Sequence, residues 1–514
     1  RLDVPIFPQS PVENPLVSGG TGVRPDGTTF DIPGAFGGGY TTTNTGSGNL
    51  LFSPRVGVNY RTTGLGGATL QFRGGTGLFT GRTPFVWISN QYSNTGADFA
   101  RLDQSFSTNA PAPVGFFPGT AEPADQPVPG VTPGLSPVAT SALALTSPDF
   151  QFPQVWRSNL GFDQELPGGF TATVEGIFTE GLTDVGFVNL NIVQVGTAAD
   201  GRPLYSNEIA GGSAAVQRVD GNFIDSILLD NTSEGYEYSV VAQLQRRVQT
   251  GFGGSLSYTY GRAFAVNNAT SSVAYSNWRF NESQDPNDLD EVGTADFEVR
   301  HRVLGFGTFR TEYADRFSTQ LGLVVDVRAG EPFSYIYSTD ANGDGETSND
   351  LVFVPETAND VFLTSNNYAL FDAFIRGESG LDGYRGEIVP RNSGRAPAQA
   401  RVDLELTQGV ETVRGQRVDF ELTLVNLLNL INSDWGPIRF ANNQAVSAIN
   451  FDRYITEGDI GSRVAGRVVT QDDIGKPVVS FSEQTARNTL TGDRYSTSDL
   501  ASRWQLRFGV RYSF

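Results

Sequence analysis

Trp504-Gln505-Leu506-Arg507-Phe508-Gly509-Val510-Arg511-Tyr512-Ser513-Phe514 is the stretch that decides the fold. Its even positions (Trp504, Leu506, Phe508, Val510, Tyr512, Phe514) are apolar or aromatic, and its odd positions (Gln505, Arg507, Gly509, Arg511, Ser513) are polar or minimal. A period of two over this length predicts a strand with one oily face and one wet face. Two architectures end this way. One is a membrane β-barrel that closes on an aromatic-ended strand, and the other is a soluble β-sandwich with a half-buried terminal strand.

The same alternation recurs upstream. In 320–328, Leu321, Leu323, Val325 and Val327 oppose Gln320, Gly322, Asp326 and Arg328. In 401–408 and 416–428, Val402, Leu404, Leu406, Val418, Phe420, Leu422 and Leu424 oppose Asp403, Glu405, Asp419, Glu421 and Thr423. Strands are also predicted at 1–7, 51–60, 68–79, 155–165, 170–179, 236–248, 252–264, 297–310 and 317–329. For 297–310 the two faces do not separate by eye. Turns of a few residues, such as Leu166-Pro167-Gly168-Gly169, alternate strictly with loops of tens of residues. Sandwiches space their turns evenly, whereas outer-membrane barrels have short periplasmic turns and long extracellular loops. Charged residues on one face of strand after strand suit a wet lumen, since a dry core penalises unpaired carboxylates. The expectation is an all-β, antiparallel transmembrane barrel over 1–514, with about twelve strands here.

Composition agrees. A chain of 514 residues exceeds one ordinary core, so either several domains or one very large barrel is expected; charged residues are low at 18% and Gly is high at 60. Barrel strands scatter their apolar residues, so the lack of a long apolar run does not exclude a membrane. A net charge of −20 argues against a nucleic-acid partner. With no Cys there is neither a disulfide framework nor thiol chemistry. His301 is the single histidine, and without a nucleophile motif or a second histidine no enzyme constellation forms around it. It reads as a strand-end residue held by hydrogen bonds.

Short stretches carry a family likeness. Pro54-Arg55-Val56-Gly57 with Phe72-Arg73-Gly74-Gly75-Thr76-Gly77-Leu78-Phe79 resembles a strand pair of the Oar-like TonB-dependent transporters. Asp296-Phe297-Glu298-Val299-Arg300-His301-Arg302, Arg328-Ala329-Gly330-Glu331-Pro332-Phe333 and Asn426-Leu427-Leu428-Asn429 are similar to further motifs of that group, in the same order. The resemblance implies an outer-membrane uptake receptor of a Gram-negative bacterium, embedded in outer-membrane lipid. Its barrel would have 22 strands, of which this chain supplies the C-terminal half. A plug and a TonB box, through which the TonB complex would act, are not seen here, so the chain is expected to be a piece of a longer protein. Asp326, Arg328, Asp403 and Glu421 would line the path or hold the plug. Two other readings remain: an anchor whose loops bind a surface lipoprotein, matrix or another extracellular ligand, and a passive porin.

One stretch suggests a metal. Asp340, Asn342 and Asp344 place oxygens at alternate positions and Gly345 takes the sixth, as in the first half of a calcium loop. The twelfth position is Leu351, so Asp350 is the carboxylate available to complete the set. The plainer alternative is a solvated Asn/Asp/Gly turn. Trp156, Trp278, Trp435, Trp504, Tyr236, Tyr258 and Tyr512 are expected in the interfacial girdles. Trp87 and Trp278 are alternative candidates for a ligand platform in the outer loops. The acidic run Asp285, Asp288, Asp290 and Glu291 suits either cation attraction or solvation.

Overall fold

The computed structural model describes residues 20–23, 29–32, 36, 39–44, 46, 50–93 and 143–514, apart from 212, 222, 248, 249, 366, 485, 486 and 489–494. The strand expected at 1–7 lies outside them. Eleven long strands follow one another in chain order, each antiparallel to the next. They are β1 (Arg55–Thr63), β2 (Thr69–Thr80), β3 (Gln154–Leu166), β4 (Phe170–Asn189), β5 (Tyr236–Arg246) and β6 (Gly251–Ala265). The series continues with β7 (His301–Tyr313), β8 (Phe317–Arg328), β9 (Gln399–Glu411), β10 (Arg417–Val425) and β11 (Gln505–Ser513). The sheet is open. Among the described residues β1 pairs only with β2, and β11 only with β10.

Register makes the sheet two-faced. Tyr60, Phe72, Phe162, Val174, Ala242, Tyr258, Val303 and Val327 stand opposite one another in a row across β1 to β8. Farther toward the short turns, Phe252, Phe309, Leu321, Leu406, Leu422 and Phe508 form a second row, across β6 to β11. A one-residue slip in any strand would put that strand's apolar set on the wrong face. The other face carries rows such as Asn59, Arg73, Gly161, Glu175, Val241, Thr259, Arg302, Arg328 and Gln399. The apolar rows are exposed or half-exposed, as lipid-facing rows must be. In β7 both faces carry large apolar groups, which is why periodicity failed there. His301, Val303 and Phe309 face outward, whereas Leu304 and Phe306 lie on the lumenal side opposite Ser257 and Ser255.

Among the described residues, the long connections are not merely solvated loops. Their described parts fold into a cap with hydrophobic cores of its own, where the sequence shows only long loops. One core is built on a five-stranded sheet in the order Phe362–Leu363, Pro477–Phe481, Ala445–Tyr454, Pro332–Tyr337, Gly394–Arg395. The helix Tyr368–Gly377 lays Phe371, Phe374 and Ile375 on it at the spacing of one helical face. Phe371 and Phe374 both meet Phe481, with ring centroids 5.0 and 5.3 Å away. The second core gathers Trp87, Phe150, Val185, Phe187, Ile227, Leu229 and Trp278. Strand β4 feeds it. A bilayer needs only about 9–11 strand residues, so the 20-residue β4 runs on above the membrane, where Val185 and Phe187 become buried.

Two aromatic assignments are overturned. Trp278 is 1% exposed and Trp87 8% exposed, each with its indole nitrogen hydrogen-bonded inside the cap, so Trp278 belongs to no girdle and neither is a platform. Trp156, Trp435, Trp504, Tyr236, Tyr258 and Tyr512 stay exposed. The segment Asn426-Leu427-Leu428-Asn429, expected inside the penultimate strand, lies beyond it. Asn426 turns into the left-handed region at φ 55° and ends β10 at Val425, and a short helix follows.

Candidate functional site

The lumenal wall is a lattice of ion pairs. Arg73 on β2 reaches Asp163 on β3 at 2.9 Å and Glu175 on β4 at 2.8 Å. It crosses Gly161 to do so, where a Cβ would come within 3.0 Å of the guanidinium carbon. Asp326 holds Arg302 through both its oxygens at 2.9 Å, and Arg328 donates to Gln399 at 2.8 and 3.0 Å. Asp403 accepts from Arg401 and from the backbone of Asn426, and Glu421 pairs with Arg511 at 2.8 Å. The four expected lumenal residues therefore stand on one face, each bound to a neighbour. Half-exposed pairs of this kind add little stability. What they supply is a polar wall, including a recess of about 560 Å³ bounded by Arg73, Asp163, Glu175 and Gln243.

Glu298, at the outer rim, was not singled out in the sequence. It is 3% exposed and takes hydrogen bonds from Arg262 at 2.8 Å, Arg300 at 3.3 Å and Arg395. It thereby ties the mouth of the sheet to the cap. His301 begins β7 and meets Tyr258 Oη through Nδ1 at 2.8 Å on the outward face.

In the cap, a 460 Å³ cleft is lined by Gln194, Gln284, Asp285, Asp288, Glu291 and Arg391, among others. The acidic run forms part of this wall and also shapes its own loop. The Glu291 carboxylate accepts from the backbone nitrogens of Gln284 and Asp285 at 2.8 to 2.9 Å, and Asp285 accepts from Tyr205 Oη at 2.6 Å. Burial pushes the Glu291 carboxyl upward.

The structure brings Asp340, Asn342, Asp344 and Asp350 into one buried loop, none more than 3% exposed. Asp340 accepts from Gly343 N at 2.6 Å and Gly345 N at 2.9 Å, and Gly345 has φ +95°, which favours glycine. Asp344 accepts from Glu346 N at 2.8 Å, Asn342 Nδ2 at 3.2 Å and Asn349 Nδ2 at 2.7 Å. Asp350 is turned elsewhere. Its Oδ1 takes Arg202 Nη1 at 2.9 Å and its Oδ2 takes Ala341 N at 2.7 Å. Burial, reinforced by Asp350, pushes the Asp340 carboxyl up to about 7. Burial, Asp350 and Asp340 together raise Asp344 well above the carboxylate range. Among the described residues, no three His, Cys, Asp or Glu side chains are gathered to hold a metal. Arg202 and Asn349 went unnoticed in the sequence. Arg202 lies 148 positions from Asp350, and no spacing rule links the two, whereas Asn349 was legible as the neighbour of Asp350.

The comparisons with known proteins come from a family model and from solved structures. The model of the outer membrane beta barrel domain matches residues 16–455. No curated protein matches. Two mutant forms of the ferric enterobactin receptor (PfeA) from Pseudomonas aeruginosa superpose, at 9% identity each. The first gives a TM-score of 0.35 over 78% of this chain and 37% of the receptor, and the second 0.32 over 73% and 34%. The chain thus spans well under half the length of those receptors. The family match covers most of the chain and coincides with the two-faced meander of strands. The chain belongs to the outer membrane β-barrel domain family and resides in the outer membrane, which it crosses with strands.

Proposed function

We propose that the protein is an energised uptake receptor, similar to the Oar-like TonB-dependent transporters, that captures a polar solute in its cap and passes it along the lumenal wall. The observation that carries this reading is the cap. A passive pore gains nothing from a folded body with two hydrophobic cores above its mouth. The cleft bounded by Asp285, Asp288 and Glu291 suits a neutral or cationic solute rich in hydrogen-bonding groups. Further strands, a plug and the TonB complex complete the machine in this reading.

The test is depletion of the growth medium by the native bacterium, read by mass spectrometry. Uptake predicts that at least one polar solute stays in the medium of both a strain lacking the protein and a strain lacking TonB. No difference from wild type overturns uptake. Retention only in the strain lacking the protein points to a passive porin.

A further inference from the structure

Loop 340–350 carries more buried negative charge than its surroundings balance. Asp200 and Asp350 share Arg202, at 3.6 and 2.9 Å. Among the described residues no ion pair reaches Asp340 or Asp344, and both are nearly sealed from solvent. Buried carboxylates without a counter-charge are costly, and such groups take up either a proton or a cation.

A second observation chooses between them. Asn349 is 1% exposed, and its amide sits against Asp344 with Nδ2 2.7 Å from Oδ2. Its Oδ1 is buried with no hydrogen-bond partner. A cation would take up that orphan oxygen, whereas a proton on Asp344 would compete with the N–H donors of Glu346, Asn342 and Asn349 that its oxygens already accept. Asp340 and Asp344 keep lone pairs to spare after their backbone hydrogen bonds, because a carboxylate offers about four acceptor sites.

We propose that this loop binds one calcium ion through side-chain oxygens of Asp340, Asn342, Asp344 and Asn349, with Asp350 serving as the anchor that fixes the loop to Arg202. Backbone carbonyls and water complete the six to eight oxygens that calcium takes. Magnesium, which demands a tighter octahedron and dehydrates reluctantly, fits less well. With only two carboxylates among the ligands, affinity falls in the range of extracellular modules, with Kd about 10⁻⁴ to 10⁻³ M.

The site sits where three cap segments meet. Tyr205 N donates to Asn342 O at 2.8 Å, and a Cβ on Gly343 would lie 2.7 Å from that of Ser206. Glu346, just beyond Asp344, pairs with Arg279 at 2.6 Å and accepts from Tyr275. Calcium therefore fastens segments 203–206, 274–279 and 338–351 together. This holds whatever solute the cap captures.

Calorimetric titration of the chelator-stripped, detergent-solubilised protein with CaCl₂ tests the proposal, with MgCl₂ as the reference ion. We expect saturable calcium binding at least tenfold tighter than magnesium binding. We also expect calcium to slow proteolytic cleavage within 203–206 and 338–351, and Asp344→Asn to weaken binding at least tenfold. Absent calcium binding, equal binding of magnesium, or unchanged affinity in Asp344→Asn overturns it. Because Asp344→Asn also removes hydrogen bonds that shape the loop, Asn349→Asp serves as the second variant. Its added ligand charge should tighten calcium binding several-fold, and no tightening counts against the ligand set.

Discussion

Arg202 is the residue on which the cap's polar interior turns. Its side chain is fully buried, donates to Asp350 at 2.9 Å and to the Leu351 carbonyl, and faces Asp200 at 3.6 Å. Removing one partner of a buried ion pair strands the other, at a cost of about 3–5 kcal/mol. Arg202→Met is therefore predicted to destabilise the cap by that amount, read as faster hydrogen exchange of amides 350–354, with exchange in the long strands unchanged. Asp459 gives a pH test. Hydrogen bonds from Arg453, at 2.7 and 2.9 Å, and from Thr456 N hold its carboxyl down at about 2. A folded value below the unfolded one (about 3.9) means that the stabilisation is whole above about pH 4 and fades as pH falls through 2. Asp459→Asn should cost about 1–2 kcal/mol at pH 7 and only about 0.4 kcal/mol at pH 2, as measured by hydrogen exchange over 453–462.

At the scale of elements, strands were far more legible than the bodies between them. Alternation in β8, β9, β10 and β11 is visible because lipid and lumen impose opposite demands on successive residues. In β7, Leu304 and Phe306 put apolar groups on the wet side, and the pattern blurs. The cap stayed hidden because its core comes from scattered short pieces. Phe333 and Phe481 lie in strands of only six and five residues, too short to show a period amid Gly, Asn and Asp. Of the candidate metal loop, the turn chemistry was readable and the long-range partner Arg202 was not. The two faces of β11 can be tested separately. Phe508→Arg places a charge in the outward row beside Leu422, where the penalty near mid-bilayer is about 2–4 kcal/mol. It is predicted to lower the amount of folded protein in the membrane, assayed by heat-modifiable gel mobility. Arg507→Gln, on the other face, is predicted to leave that amount unchanged.

For the whole molecule, the open sheet has a direct consequence. The edges of β1 and β11 each present a row of backbone donors and acceptors, and hydrocarbon cannot satisfy them. If further strands lie between these edges in the membrane, a cysteine pair Val58→Cys and Phe508→Cys will not cross-link under oxidation; rapid disulfide formation would show β1 closing directly onto β11. The central claim, a barrel with short turns inside and a folded cap outside, is tested most directly by labelling from outside the cell. Since the chain has no cysteine, single substitutions report one site each. Leu65, 74% exposed in the turn between β1 and β2, and Leu500, 79% exposed near the end of the cap, are suitable positions. A membrane-impermeant maleimide added to intact cells should label Leu500→Cys at once, and Leu65→Cys only after the outer membrane is permeabilised. Labelling of Leu65→Cys but not Leu500→Cys in intact cells would contradict the account.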